Sequence, residues 1–177
     1  GESEPLYRVT EEGVEPITDA RGRPIVDWKH ACLAVDGALW IAKSDTLVCR
    51  DPSGRWGQWP ATEFDASGLF RVQPTLGDSI YVATNEALYT FARDRRPRRI
   101  AEAPRVLLVR HESDGTPVAV TAGGGLLRLP PSGPEPIARD FHRGSAVAVR
   151  GQVIWAQLDG AIWRFAPGRN PEKIAPT

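Results

Sequence analysis

An all-β fold built from repeated four-stranded units is what this chain predicts, and three observations carry that prediction. One short phrase returns five times: Leu6-Tyr7-Arg8-Val9, Leu47-Val48-Cys49-Arg50, Leu88-Tyr89-Thr90-Phe91, Leu126-Leu127-Arg128-Leu129 and Ile162-Trp163-Arg164-Phe165. Its returns fall 41, 41, 38 and 36 residues apart, the period of a stacked or radial repeat. Between them lie short apolar runs bounded by Gly, Asp, Asn and Pro, and nothing has helical periodicity over ten residues.

In the four full units, the position seven residues before the repeated Leu or Ile is Trp40, Tyr81, Ala119 or Trp155. The runs around it are Leu39-Trp40-Ile41-Ala42, Ile80-Tyr81-Val82-Ala83, Val118-Ala119-Val120-Thr121 and Val153-Ile154-Trp155-Ala156. They are apolar almost throughout instead of alternating, which reads as strands buried on both faces. Ser44-Asp45, Asn85-Glu86, Gly123-Gly124 and Asp159-Gly160 supply tight turns, and the repeated phrase forms the return strand of a hairpin.

A further apolar strand precedes each hairpin: Cys32-Leu33-Ala34-Val35, Leu69-Phe70-Arg71-Val72, Val106-Leu107-Leu108-Val109 and Ala146-Val147-Ala148-Val149. Turns Asp36-Gly37, Gly77-Asp78, Asp114-Gly115 and Arg150-Gly151 follow these strands. Eleven or twelve residues past the repeated Leu or Ile comes a closing apolar position, Ile17, Trp59, Ile100, Ile137 or Ile174. Pro-rich approaches such as Pro130-Pro131-Ser132-Gly133-Pro134 suit an outer edge strand. Each unit is therefore a four-stranded antiparallel meander of about forty residues, the blade of a β-propeller, with a solenoid as the alternative.

Full blades are expected over 30–60, 68–103, 104–138 and 144–176, with a half blade over 5–18, in a single propeller or propeller fragment of about four and a half repeats. Three ways of completing the half blade stand open: a short five-position ring, a chain cut from a longer parent (which the absence of Met favours), or inner strands from another chain on an open sheet edge.

The blade wording resembles a known family. Trp40-Ile41-Ala42, Tyr81-Val82-Ala83-Thr84, Asn85-Glu86-Ala87-Leu88-Tyr89 and Asp159-Gly160-Ala161-Ile162-Trp163-Arg164-Phe165 are similar to the motif of two-component-regulator-type propellers. That motif runs Leu-Trp-Ile-Gly-Thr, two variable residues, Gly-Leu-Tyr, a variable residue and an aromatic. Here Ala stands where Gly is frequent, and the third unit has Ala119 for the aromatic. The resemblance implies a sensing or binding module and carries no catalytic residue across.

Composition narrows the function classes. Twenty-two basic and 22 acidic residues leave no net field to draw in nucleic acid or an anionic membrane, so neither is expected as a partner. No apolar run approaches the roughly 18 to 20 residues that span a bilayer. Cys32 and Cys49 should lie two strands apart, about 9 to 10 Å between Cα atoms, beyond disulfide reach. Two unpaired thiols fit a reducing compartment such as the cytoplasm, with an extracytoplasmic sensor as the alternative.

Candidate chemistry is sparse. His30, His111 and His142 are placed at ends of innermost strands but show no metal-ligand spacing, and no cofactor or metal is predicted. Glu112, Asp114, Asp36 and Asp78 fall in turns, where Asx geometry explains them as well as cation binding does. The run Arg93-Asp94-Arg95-Arg96-Pro97-Arg98-Arg99 reads either as a phosphate contact or as a solvated loop shielding an edge. Arg8, Arg128 and Arg164 recur at one strand position, which reads either as a ligand-binding ring or, the favoured reading, as an arginine stem packed on the neighbouring blade with its head meeting a carboxylate. Trp56 and Trp59 belong to an outer strand, while Trp28, like Phe64, falls in a long connection. Such aromatics anchor interfaces, stack on sugars or plug gaps.

No nucleophile elbow or phosphate loop occurs, and no catalytic residue is predicted. The reading is a non-catalytic binding platform for protein recognition, as an assembly scaffold or sensor domain, with a small-ligand or carbohydrate sensor as the alternative. Candidate binding residues are Trp28, Trp56, Trp59, Arg71, His111, Phe141 and His142. The expected partner is a protein or another domain of a longer parent chain, with self-association at the half blade as a further possibility.

Overall fold

The structure is a computed structural model and describes residues 4–103, 105–138, 146–158 and 160–176. Eighteen strands form four four-stranded antiparallel sheets and one two-stranded sheet among the described residues. The two-stranded sheet pairs β1 (Tyr7–Thr10) with β2 (Gly13–Pro16). The first full sheet is β3 (Trp28–Leu33), β4 (Leu39–Lys43), β5 (Thr46–Arg50) and β6 (Trp56–Pro60). The next is β7 (Leu69–Pro74), β8 (Ile80–Thr84), β9 (Leu88–Phe91) and β10 (Arg98–Ala101). Then come β11 (Val106–His111), β12 (Pro117–Thr121), β13 (Leu126–Arg128) and β14 (Glu135–Ala138). The last is β15 (Val147–Arg150), β16 (Val153–Leu158), β17 (Ala161–Phe165) and β18 (Glu172–Pro176). Strands pair in chain order, so each sheet is a simple meander.

Burial is deepest in second strands such as β4, β8 and β12. All five residues of β8 are buried and so are the three central residues of β4, whereas Glu135 and Pro136 of β14 and Arg98 and Arg99 of β10 are exposed. Pro60, Pro136 and Pro176 sit in outer strands, where a missing N–H breaks no ladder.

The chain divides into two compact units, Gly1–Asn85 with Thr90–Arg98, and Glu86–Tyr89 with Arg99–Thr177, the sheet β7–β10 contributing to both. In the first unit the core includes Trp40, Ile41, Leu47, Phe64, Leu69, Val72, Ile80 and Val82. Its aromatic centre sets Trp40 against Trp59 (5.4 Å between ring centroids) and Phe91 edge-on to Trp40, Trp59 and Phe64 at 5.7, 5.2 and 5.3 Å. In the second unit Val118, Val120, Leu126, Ile154, Ala156 and Phe165 form a cluster extended by Leu108, Ile137, Val147 and Trp163. No helix among the described residues is long and apolar enough to cross a membrane.

Three first strands carry the same irregularity. Register slips by one residue between Trp28 and His30, between Leu69 and Arg71, and between Val106 and Leu108. Such a bulge breaks the two-residue alternation and sharpens the local twist. It corrects two expectations. Trp28 is the first residue of β3, paired with Lys43, instead of lying in a connection. His30 pairs with Ala42 inside β3 and does not end the strand. Phe64 lies in the connection expected for it and takes the gap-plugging alternative: it ends a 3-10 turn over Ala61–Phe64 and is fully buried.

Cys32 and Cys49 both pair with Trp40, on opposite sides of β4, and are free thiols. Burial, with Cys49 nearby, pushes the Cys32 thiol up to about 12; burial likewise pushes Cys49 up to about 11. Both therefore stay protonated and weakly reactive near neutral pH.

Candidate functional site

Two turns of the first unit share one construction. Asp19-Ala20-Arg21-Gly22-Arg23 and Asp51-Pro52-Ser53-Gly54-Arg55 both read Asp-x-x-Gly-Arg. In each, the Asp N–H donates to the Arg carbonyl (2.8 and 2.9 Å) and the Gly N–H donates to the Asp carbonyl (3.0 and 2.9 Å). Gly22 and Gly54 adopt φ of 76° and 87°, a region open to glycine and strained for other residues. The Asp carboxylate then accepts from the Arg backbone N–H (3.0 and 2.9 Å) and from the Arg Nε (3.1 and 3.0 Å).

These hydrogen bonds hold both carboxylates ionised. Asp19 titrates below the usual carboxylate range, chiefly through the Arg23 backbone N–H. Asp51 does so chiefly through the Ser53 hydroxyl, 2.6 Å from Oδ1, and then through Arg55.

Trp56, the first residue of β6, separates two cavities that these turns border. One, of about 360 Å³, is lined by the Asp19–Arg23 turn with Ile25, Lys43, Val48, Trp56, Gly57 and Gln58. Arg21, Arg23 and Lys43 there face one carboxylate, Asp19, so the cavity is net cationic. The other, of about 640 Å³, is lined by Cys49, the Asp51–Arg55 turn, Trp56, Gly57, Trp59, Arg93 and Asp94, and its charges balance. Gly57 is the only residue type that fits here without displacing the wall, because a Cβ would lie 2.8 Å from the Trp59 ring. Trp59 is in turn fixed by Trp40 and Phe91.

Arg93 lines the larger cavity. It leaves the β9–β10 turn and reaches Asp36 Oδ2 at 2.7 Å and Asp51 Oδ2 at 3.6 Å. A rigid sheet thus presents a half-buried tryptophan between a cationic pocket and a charge-balanced one. Aromatic walls with fixed charged rims suit an extended chain whose side chains alternate between pockets.

Of the sequence-predicted binding residues, Trp56 and Trp59 come together here. Trp28 stands apart on β3, partly exposed, its Nε1 donating to the Glu4 carbonyl at 3.2 Å. Arg71 is half-buried on β7 beside His30; burial and the Arg71 charge both lower the His30 pKa. His30 Nδ1 is buried without a hydrogen-bond partner among the described residues. His111 ends β11 in the second unit, its pKa lowered by burial and by Arg110. Phe141 and His142 lie outside the described residues, as does the placement expected for His142. Asp19, Arg21, Arg23, Asp51 and Arg55 were missed, although the doubled Asp-x-x-Gly-Arg phrase is a sequence signal for them.

The recurring arginines do meet carboxylates: Arg8 with Glu15 at 2.7 Å, Arg128 with Glu112 at 2.8 Å and Arg164 with Glu172 at 2.5 Å. Asp36 and Asp114 accept the backbone N–H two residues on, from Ala38 and Thr116, as Asx turns do. No group of three or more His, Cys, Asp or Glu able to hold a metal ion occurs among the described residues.

The architecture is that of the β-propeller repeat proteins. No family model matches the chain, and no curated protein matches it in sequence. Solved structures do match in fold. A virginiamycin B lyase of Staphylococcus aureus aligns over 98% of this chain and 70% of its own, at 12% identity and a TM-score of 0.65. The extracellular domain of a hybrid two-component system of B. thetaiotaomicron aligns over 99% of this chain and 26% of its own, at 14% identity and a TM-score of 0.63. YCF48 bound to D1 peptide aligns over 93% of this chain and 58% of its own, at 17% identity and a TM-score of 0.60. In a further virginiamycin B lyase structure the chain spans 55% of the matched length. These likenesses show the fold alone.

Proposed function

We propose that this chain is a non-catalytic binding platform for protein recognition that takes an extended peptide segment across Trp56. The observation that carries the reading is the half-buried Trp56 flanked by the paired Asp-x-x-Gly-Arg turns, on a strand whose Trp59 packs into the aromatic core. Rigid aromatic anchors beside fixed charges supply most of the energy of such interfaces. A peptide complex of YCF48 and the extracellular domain of a two-component system, both of this fold, support a binding role.

The net cationic pocket beside Trp56 favours a segment with an acidic residue next to an apolar one. Selection of binders from a random peptide library on the intact chain tests the reading. Selected peptides should be enriched in acidic–apolar pairs, and Trp56→Ala should weaken their binding by about tenfold or more, as for an interface anchor. Selection of no peptide, or peptides indifferent to Trp56→Ala, would overturn it. A carbohydrate-binding reading is favoured by the Trp56, Trp59 and Asp51 walls of the larger cavity, and a glycan array distinguishes it.

The two-stranded sheet supports a second contact. The Ile17 N–H donates to the Leu6 carbonyl at 2.7 Å, so by alternation Arg8 turns its backbone groups toward β2, and Tyr7 and Val9 direct theirs away from it. An added strand on that edge, from a second copy, would extend the half blade.

A further inference from the structure

The run of arginines between β9 and β10 divides into two sets. Arg93 is engaged by Asp36 and Asp51, and Arg99 by Glu102 at 3.4 Å. Arg95, Arg96 and Arg98 form no ion pair among the described residues and line one cavity of about 350 Å³ with Asp78, Ser79, Thr90 and Ala92. The cavity lies between the β7–β8 and β9–β10 turns, which share one end of their sheet.

Both turns are braced. Thr75 Oγ1 donates to the Ser79 carbonyl at 2.8 Å and lies 3.0 Å from Ser79 Oγ, while the Gly77 N–H donates to Thr75 Oγ1 at 3.1 Å. Across the cavity the Arg95 N–H donates to the Ala92 carbonyl at 3.1 Å, and Arg98 Nε stands 3.4 Å from Thr90 Oγ1. Three arginines and one aspartate line the cavity with two hydroxyl residues, an excess of two positive charges.

We propose that this cavity is a binding site for a phosphate dianion, free or carried as a monoester. One guanidinium satisfies a carboxylate, whereas three forks around two hydroxyls match the three terminal oxygens and double charge of a phosphate group. The cavity is several times the volume of that group, so the molecule or side chain carrying it fits in the remaining space. The site is separate from the Trp56 groove and does not depend on the peptide-binding role.

Titration calorimetry at constant ionic strength tests it, with inorganic phosphate, O-phosphoserine and acetate as probes. Saturable binding of a phosphate probe, with none of acetate, is expected. Tighter binding of inorganic phosphate identifies a free anion as the natural ligand, and tighter binding of O-phosphoserine identifies a phosphorylated chain. The paired variant Arg95→Ala/Arg96→Ala should lose affinity by about tenfold or more, because two charge-assisted hydrogen bonds are removed. Arg98→Lys keeps the charge but not the fork, and should also weaken binding. Trp56→Ala should leave phosphate affinity unchanged. An equal response to acetate, no binding of either phosphate probe, or unchanged affinity in the paired variant with a native unfolding midpoint would each overturn the proposal.

Discussion

Arg128 and Arg8 occupy the same position of their repeats but live in different electrostatic settings. Arg8 and Glu15 are 59% and 53% exposed, and such a pair contributes about 0–1 kcal/mol. Glu112 is 3% exposed and is gripped through both oxygens, by Arg128 Nε at 3.0 and 3.1 Å and Nη2 at 2.8 Å. Removing Arg128 would strand a carboxylate out of water. Arg128→Leu should therefore destabilise the fold by about 3–5 kcal/mol, with much of that recovered in Glu112→Leu/Arg128→Leu. Arg8→Leu should change stability by less than about 0.5 kcal/mol. Guanidinium chloride unfolding of the four chains measures all three effects. The recurrence of arginine at this position was legible in the sequence. Its partner was not, because the residue across the strands from Arg128 is Glu135, while the buried charge that needs compensation is Glu112.

At the scale of elements, β1 is the strand whose position in the repeat and whose surroundings disagree. The equivalent strand β5 is covered by β4, whereas β1 pairs with β2 alone among the described residues. Tyr7, Val9 and Val14 are accordingly 51%, 79% and 64% exposed. A bare apolar edge is a template for strand addition, and a lysine there is a common deterrent. Sedimentation of the native chain should show association that rises with concentration, and Val9→Lys should abolish it. A native chain that stays monomeric at high concentration would retire this contact. Strand order and the burial of the second strands β4, β8 and β12 could be read from composition and turn residues. The bulges at the starts of β3, β7 and β11 could not, because a bulge is set by how two strands pair and leaves no fixed residue type behind. The early start of β3, and with it the place of Trp28, follows from that.

For the whole molecule, equal numbers of acids and bases make pH act through individual groups. His30 is lowered below 6.5 by burial and then by Arg71, and His111 by burial and then by Arg110. The unfolded chain binds protons at these sites first, so the stability they leave intact above 6.5 is lost as pH falls below it. Asp19, Asp51 and Asp114 are lowered below 3.8 by hydrogen bonds, chiefly from the Arg23 N–H, the Ser53 hydroxyl and the Thr116 N–H respectively. Their contribution holds above 3.8 and disappears as pH drops through and below it. Denaturant midpoints followed from pH about 8 to about 3 should therefore fall in two stages. His30→Leu should shrink the upper stage and leave the lower, because it removes both the titration and the unpartnered Nδ1.

The repeat, the antiparallel meander and the apolar character of the inner strands were determined by the sequence itself. Each depends on residues a few positions apart: an apolar run, a turn former, a proline at an edge. The Trp56 groove, the reach of Arg93 to Asp36 and Asp51, and the gathering of Arg95, Arg96 and Arg98 with Ser79 were decided only by tertiary structure. Each joins residues from different strands or turns, and sequence spacing does not encode the distance between side chains that meet through packing.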